Sequence, residues 1–262
     1  MQRGKSFVND KNLSHAAGQS NVKLLTLVLA LRAFAQTTPL TALLHQFDDE
    51  HDLARKERLL GHVTSRYPLG GAALLRLAQS TANVDTRWMA MLGMATLHFK
   101  SGTPFLEQSL RDSDALVRAN AARALSDLRS RTSAGPLLAM FVLEREDSAL
   151  QQGSLALKTL GIKAAAPVIR HKISETTGQT RSWLIQALGK LGDLSDVPLI
   201  ASYLDVDGGL AATDALQELT GVDFGIVHTG LTSYPPPSTL AARAWWKAHS
   251  NAWPRCDDCR KK

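Results

Sequence analysis

Three groups of residues have types that could do chemistry. Cys256 and Cys259, the chain's two cysteines, form one CxxC pair just before Arg260, Lys261 and Lys262. A zinc site needs four ligands, so a single pair falls short unless His249 joins it or two tails share the metal. A redox pair expects a helix start in a thioredoxin-like setting, and here Pro254 precedes it. The pair therefore reads as a tail, or as a small disulfide loop in an oxidising compartment. His45 and His51 flank Asp48, Asp49 and Glu50. That set fits no metal-ligand spacing, and the acids instead suit the positive start of a helix opening at Leu53. Gly4-Lys5-Ser6 has the end of a phosphate-binding loop without the glycine that must come before it. No Gly-x-Ser-x-Gly elbow occurs, and Gly189 with Gly192 lacks the preceding glycine and strand of a dinucleotide fingerprint. No catalytic residue, metal or cofactor is assigned on these grounds, and the chain is expected not to be an enzyme.

Functional residues need a frame, and the frame here is a repeat. Prolines fall at Pro104, Pro136, Pro167 and Pro198, with gaps of 32, 31 and 31 residues. Each is followed by two apolar residues (Phe105-Leu106, Leu137-Leu138, Val168-Ile169, Leu199-Ile200). Six residues after each proline comes another, at Leu110, Val142, Ile173 and Leu204. Proline suits the first helical position, where its missing N–H costs nothing, so each opens a short helix with one apolar face. A second set of columns runs in step. Small residues at Gly93, Ala124, Ala156, Ala187 and Ala215 precede Met94, Leu125, Leu157, Leu188 and Leu216. Three positions on stand Leu97, Leu128, Leu160, Leu191 and Leu219. Around Leu128, positions 117, 121, 124, 125 and 128 form one helical stripe. Gly161, Gly192 and Gly221 then suit helix termination. Each unit is a first helix, a turn and a second helix. Such a pair buries its apolar face only against its neighbours, so the units must stack.

The segment Asp114-Ala115-Leu116-Val117-Arg118-Ala119-Asn120-Ala121-Ala122-Arg123-Ala124-Leu125 resembles a HEAT repeat. The short period resembles the HEAT-like units grouped with phycobilisome lyases. Leu219 to Gly225, a proline-rich loop, and Ala244-Trp245-Trp246 resemble the end of bacterial HEAT-repeat proteins. The resemblance covers roughly residues 84–250. It implies an all-α fold, a right-handed α-solenoid of stacked helical hairpins, and leaves function open because such solenoids serve many roles. Among those roles are an accessory lyase or chaperone for a chromophore-bearing protein, and nucleic-acid binding through Arg87, Arg111, Arg118, Arg123, Arg129 and Arg131. An arginine near the start of the second helix recurs at Arg87, Arg118 and Arg181 and is interrupted at Leu150 and Gly209. It reads as a structural ladder paired with Asp114 and similar acids.

Columns that stay apolar or small in every unit are packing, and columns that vary are surface. One variable column holds Met89, Asn120, Gln152, Trp183 and Ala211. A second holds Leu92, Arg123, Leu155, Gln186 and Asp214, and a third holds Thr96, Asp127, Thr159, Lys190 and Glu218. In HEAT-like solenoids the second helices line the concave face, so these columns are expected to line a groove. Its mixed charge and few large apolar groups suit a protein or peptide partner. A polyphosphate backbone would need many aligned Lys and Arg, so nucleic acid is the less expected partner. Trp88 and Trp183 are candidate anchors, unless each packs into the next repeat. The partner-binding set is Trp88, Met89, Asn120, Arg123, Asp127, Gln152, Trp183, Gln186, Lys190 and Asp214, on a scaffold expected to be non-enzymatic.

Composition agrees with a folded domain. The 262 residues are 44% apolar and 21% charged, which excludes bulk disorder and a disulfide-rich miniprotein. No apolar run reaches the roughly 18 residues of a membrane span. The net charge is +6, and the imbalance lies in residues 1–131, with 17 Lys and Arg against 11 Asp and Glu. Much of it falls in a basic leader over residues 1–35. Within the leader, Lys23 precedes an apolar run from Leu24 to Leu31, and Ala33-Phe34-Ala35 matches a small-x-small cleavage pattern. Arg32 and the long polar stretch before Lys23 point the other way. Two readings stay open: a signal segment over 23–35 of an exported, periplasmic protein, and a first solenoid helix of a cytoplasmic one. The expected organisation is a leader (1–35), a HEAT-like solenoid (36–221), and a tail (222–262). The tail holds a loop, a capping helix begun near Ser238 that carries Trp245 and Trp246, and the CxxC.

Overall fold

The computed structural model describes residues 40–206, 209–225 and 237–253, and every regular element among them is helical. The chain divides into two units after Tyr67. In the first unit, residues 40–49 are helical (α1) and lead into α2 (Leu53–Arg66). Asp52 caps α2, its carboxylate accepting the Arg55 N–H at 2.8 Å. Glu50 Oε1 accepts the N–H groups of His51 and Asp52 at 2.9 and 3.0 Å. The acids before Leu53 therefore serve the helix start, while His45 and His51 stand exposed. Lys56 is fully buried, donating from Nζ to the Phe47 and Asp48 carbonyls at 2.9 and 3.2 Å. Tyr67 ends α2 at φ −126°, ψ 72°, because a residue before proline is pushed out of the helical region. This boundary divides the stretch 36–221 that was expected as one solenoid.

The second unit consists of helical hairpins and a cap. The hairpins pair α3 (Gly71–Ser80) with α4 (Val84–Thr96), α5 (Thr103–Ser109) with α6 (Ala115–Asp127), α7 (Ala134–Leu143) with α8 (Asp147–Leu160), α9 (Ala166–Glu175) with α10 (Gly178–Leu191), and α11 (Val197–Ala201) with α12 (Leu210–Thr220). The cap is α13 (Pro237–His249). The main contacts join each hairpin and run along the second helices, from α4 to α6, α8, α10 and α12. Small residues set that spacing. Gly189 of α10 lies so close to α12 that a Cβ would sit 2.6 Å from the Ala215 Cα. On α8, a Cβ at Gly153 would come within 3.0 Å of the Phe141 ring. Ala124, Ala156, Ala187 and Ala215 are buried, as are Leu128, Leu160 and Leu191. Leu97 and Leu219, at the two ends of the column, are only half-buried. The apolar spine inferred from the columns is thus the core of this unit.

Two details depart from the sequence reading. Proline falls in the first turn of each first helix, but Pro136 is the third residue of α7, whereas Pro104, Pro167 and Pro198 are second in theirs. The 32-residue gap before Pro136 is that extra residue. It shifts the register by one, so Leu137 and Phe141 fill the places that Leu106 and Leu110 fill in α5. Val142, expected on the apolar face, is exposed for this reason, and the neighbouring Leu143 is 80% exposed. Gly161 and Gly221 end their helices in the left-handed region at φ 71° and 70°, as expected, whereas Gly192 has φ −78°. Glycine is required there for space, since a Cβ would collide with the Leu188 carbonyl and the Asp196 carboxylate.

The closeness of α10 and α12 gives a test. Gly189→Ala should destabilise the fold by about 1–3 kcal/mol, because the added methyl forces the helices apart. Gly135→Ala, where a Cβ meets nothing within 4 Å, should be neutral or stabilising. Denaturant unfolding of the two variants beside the parent checks both signs.

Candidate partner-binding face

The second helices position the variable columns. Asn120, Arg123 and Asp127 project from α6, Gln152 from α8, Trp183, Gln186 and Lys190 from α10, and Asp214 from α12. Arg123, Asp127 and Lys190 are exposed, and the others are half-buried. Arg123 pairs with Asp127 at 3.9 Å along the helix, and Lys190 reaches Glu218 of the next helix at 2.5 Å. Asn120 turns its amide nitrogen back onto the Leu116 carbonyl at 2.8 Å. Trp183 is half-buried, with the Lys158 ammonium 6.0 Å from its ring centroid. Beside it runs an open groove of about 310 Å³ lined by Lys158, Thr159, Gln186, Lys190, Asp214, Ala215 and Glu218. Met89 does not belong to this face. It is 5% exposed and packs in the core. Trp88 is half-buried, and its indole N–H is bonded to Asp85 of the same helix at 3.1 Å.

The recurring arginines lie at the hairpin loops. Arg87 pairs with Asp112 at 2.9 Å. Arg118 grips Glu144 through two bonds of 2.7 and 2.8 Å and also donates to the Asp112 and Ser113 carbonyls at 2.9 Å. Arg181 donates to the Thr176 carbonyl and stacks over Tyr203 with 5.3 Å to the ring centroid. Asp114, expected as a ladder partner, instead caps α6 by accepting from Leu116 and Val117. The interruptions at Leu150 and Gly209 are filled from elsewhere. Buried Lys172 of α9 donates to the Glu144 carbonyl at 2.8 Å, and Arg243 of the cap donates to the Leu204 carbonyl at 2.8 Å. Gly209 has no room for a side chain, since its φ is 69° and a Cβ would strike the Leu204 carbonyl. Arg118, Lys172, Arg181 and Arg243 each meet carbonyls at or just past the C-terminal end of a first helix, the negative end of its dipole.

These bonds scatter the arginine set considered for nucleic acid. Arg87 and Arg118 are committed to loops and Arg123 to Asp127. Arg111 precedes α6 and Arg129 and Arg131 follow it, with about 20 Å of helix between them. Among the described residues, no three His, Cys, Asp or Glu side chains gather as a metal site. No helix among them is long and apolar enough to cross a membrane. The segment 23–35, Gly4-Lys5-Ser6 and the Cys256–Cys259 pair lie outside the described residues.

A row of second helices spaced by small residues, with first helices opened by proline, is the geometry that the repeat columns demand. Residues 71–158, from α3 to α8, match the family described as HEAT repeats. Among solved structures, the complex of CpcE and CpcF of phycocyanin lyase from Nostoc sp. PCC7120 matches with a TM-score of 0.47 and 17% identity, over 80% of this chain and 87% of that chain. No curated protein matches the chain. The protein of that solved structure is a lyase, so the expectation of a non-enzymatic chain is corrected: a HEAT-like architecture does not set a chain apart from enzymes.

Three of the cations in these arrangements, Lys158, Lys172 and Arg243, were not singled out from the sequence. Lys158 has no sequence signal, because Trp183, its aromatic partner, is a whole unit away. Lys172 had one, since it stands beside Ile173 on the buried side of α9. Burial pushes its ammonium below the usual lysine range. At Glu144, burial pushes the carboxyl up, but the hydrogen bonds from Arg118 and from the Glu146 and Arg145 N–H groups outweigh it and hold it below its ordinary range. A carboxyl held low in the fold adds stability above its unfolded pKa and loses it as pH falls through the folded value. Unfolding free energy should therefore drop on acidification below about pH 4.5. Glu144→Gln should flatten part of that acid limb and cost about 1–3 kcal/mol at neutral pH, read from denaturant midpoints across the pH range.

Proposed function

We propose that this HEAT solenoid holds a protein or peptide partner against the exposed columns of its second helices. The observation that carries the proposal is the groove along α8, α10 and α12. It brings together charges of both signs (Lys158, Lys190, Asp214 and Glu218) and the Gln186 amide, and its Lys158 reaches the half-buried Trp183, 6.0 Å from the ring centroid. Trp183 supplies a large, rigid contact surface of the kind that dominates protein interfaces. Asp214 makes no ion pair among the described residues, and Lys158 has only the indole face, so each can meet a charge on the partner. The face contains no deep enclosed cavity among the described residues, and it presents side chains from consecutive repeats. That arrangement fits an elongated ligand, which touches several repeats at once, better than a small molecule.

Pull-down from the source cells with the intact chain and with a Trp183→Ala, Gln186→Ala variant tests the proposal. The intact chain should retain a defined partner, and the variant should weaken that complex by about 30-fold or more with an unchanged helical circular-dichroism spectrum. Equal recovery of every bound protein by the two forms would remove the second-helix face from consideration.

A further inference from the structure

The turns that lead from one hairpin to the next carry charge that neither the ladder nor the second-helix face uses. In three successive units this turn has one backbone form. Phe99, Ser130 and Ile162 have φ, ψ of −78°, 78°; −78°, 81°; and −83°, 80°. The residue after each donates its N–H to the carbonyl two positions back: Lys100 to His98, Arg131 to Arg129 and Lys163 to Gly161, at 2.9, 3.0 and 3.1 Å. Lys100, Arg131 and Lys163 therefore occupy matching places, one hairpin apart. All three are exposed, as is Arg129, and none has an ion pair among the described residues. The nearby acids are engaged. Asp127 pairs with Arg123 at 3.9 Å, and Glu107 accepts the Ser133 hydroxyl at 2.6 Å.

Arg129 adds a fourth exposed cation to this edge. It stands at φ 55°, in the left-handed region, a place that His98 holds at 50° in the unit before and Gly161 at 71° in the next. A side chain is strained there and glycine is not. The fold itself would be served by glycine, yet a guanidinium occupies the position and projects into water. The row stops at the fourth turn. Leu194 replaces the cation, Asp193 is extended, and Asp196 binds Arg170.

We infer that Lys100, Arg129, Arg131 and Lys163 form a docking edge for an acidic polypeptide segment of a partner protein. Adjacent helices in a packed stack lie about 10 Å apart. A chain in the polyproline II form rises about 3.1 Å per residue with three residues per turn, so it covers that distance in about three residues and turns every third side chain to the same face; the matching segment carries a carboxylate at about every third position. A duplex fits the edge less well. It presents a charge about every 1.7 Å and meets cations over a broad front, whereas these stand in single file and end at Asp193. The row also lacks an exposed aromatic ring on which a base could stack, since Phe99 is half-buried over Gly71.

Fluorescence anisotropy with the full chain tests this edge. The probe is a fluorescein-labelled peptide of about twelve residues with Glu at every third position and Gly and Ser between, beside the same peptide with Gln for Glu. The Glu peptide should bind, weaken as sodium chloride rises from about 50 to about 200 mM, and outcompete the Gln peptide. Lys100→Gln, Arg131→Gln, Lys163→Gln together should weaken it about tenfold. Arg129→Gly should weaken it while raising the denaturation midpoint, a pair of opposite signs that misfolding does not produce. Trp183→Ala should leave it unchanged, which separates this edge from the second-helix groove. Equal binding of the Glu and Gln peptides, full affinity in the triple variant, or tighter binding of a charge-matched duplex DNA would each overturn the inference.

Discussion

The second unit depends on how closely its second helices approach. Residues with little or no side chain stand at the contacts. At Gly189, even a methyl group would overlap the backbone of α12. Close approach lets the leucine columns of neighbouring helices interdigitate, and dispersion contacts among buried Leu125, Leu157, Leu188 and Leu216 accumulate along the row. A hairpin alone has no second face to cover these residues. Its folding free energy is therefore shared with its neighbours, and the ends need other arrangements. Leu97 and Leu219 are the less covered ends of their column, and at the far end α13 packs on α12 through buried Thr239 and Ala242.

A helix of ten residues or fewer ends with unpaired carbonyls after only two or three turns, and the first helices here are that short. Cations meet these carbonyls in most units, but they come from different places: Arg118 and Arg181 from second helices, Lys172 from a first helix, Arg243 from the cap. The physical requirement is a positive donor at the loop, and no single sequence position must supply it. That division frees the outward columns of the second helices and the turns between hairpins from structural duty. Mixed charges and Trp183 stand on the first of these surfaces, and exposed cations without an ion pair among the described residues stand on the second.

Much of the candidate site was legible because the repeats align with one another. A column that changes from Asn120 to Gln152 to Trp183 reads as surface, and those three side chains are half-buried on successive second helices. Met89 sits in the same column and is buried, so the column alone does not separate packing from surface at the first hairpin. The ladder was legible at Arg87, Arg118 and Arg181 but not at its substitutes, since Lys172 and Arg243 stand outside the arginine column. The misread Val142 traces to a single extra residue before Pro136, and one residue rotates a helix by about 100°.

The sequence alone determined that the chain is helical and repeated, where its first helices begin, and which columns face inward, because 3.6-residue periodicity and the steric demands of proline and glycine act locally. Only the tertiary structure decided which charges are engaged and which remain outward. An ion pair such as Arg118 with Glu144 joins residues 26 apart, and nothing in local propensity says which carboxylate a long side chain will reach. The same holds for the exposed turns: the left-handed backbone at Arg129 and the matching positions of Lys100, Arg131 and Lys163 follow from how one hairpin is laid against the next.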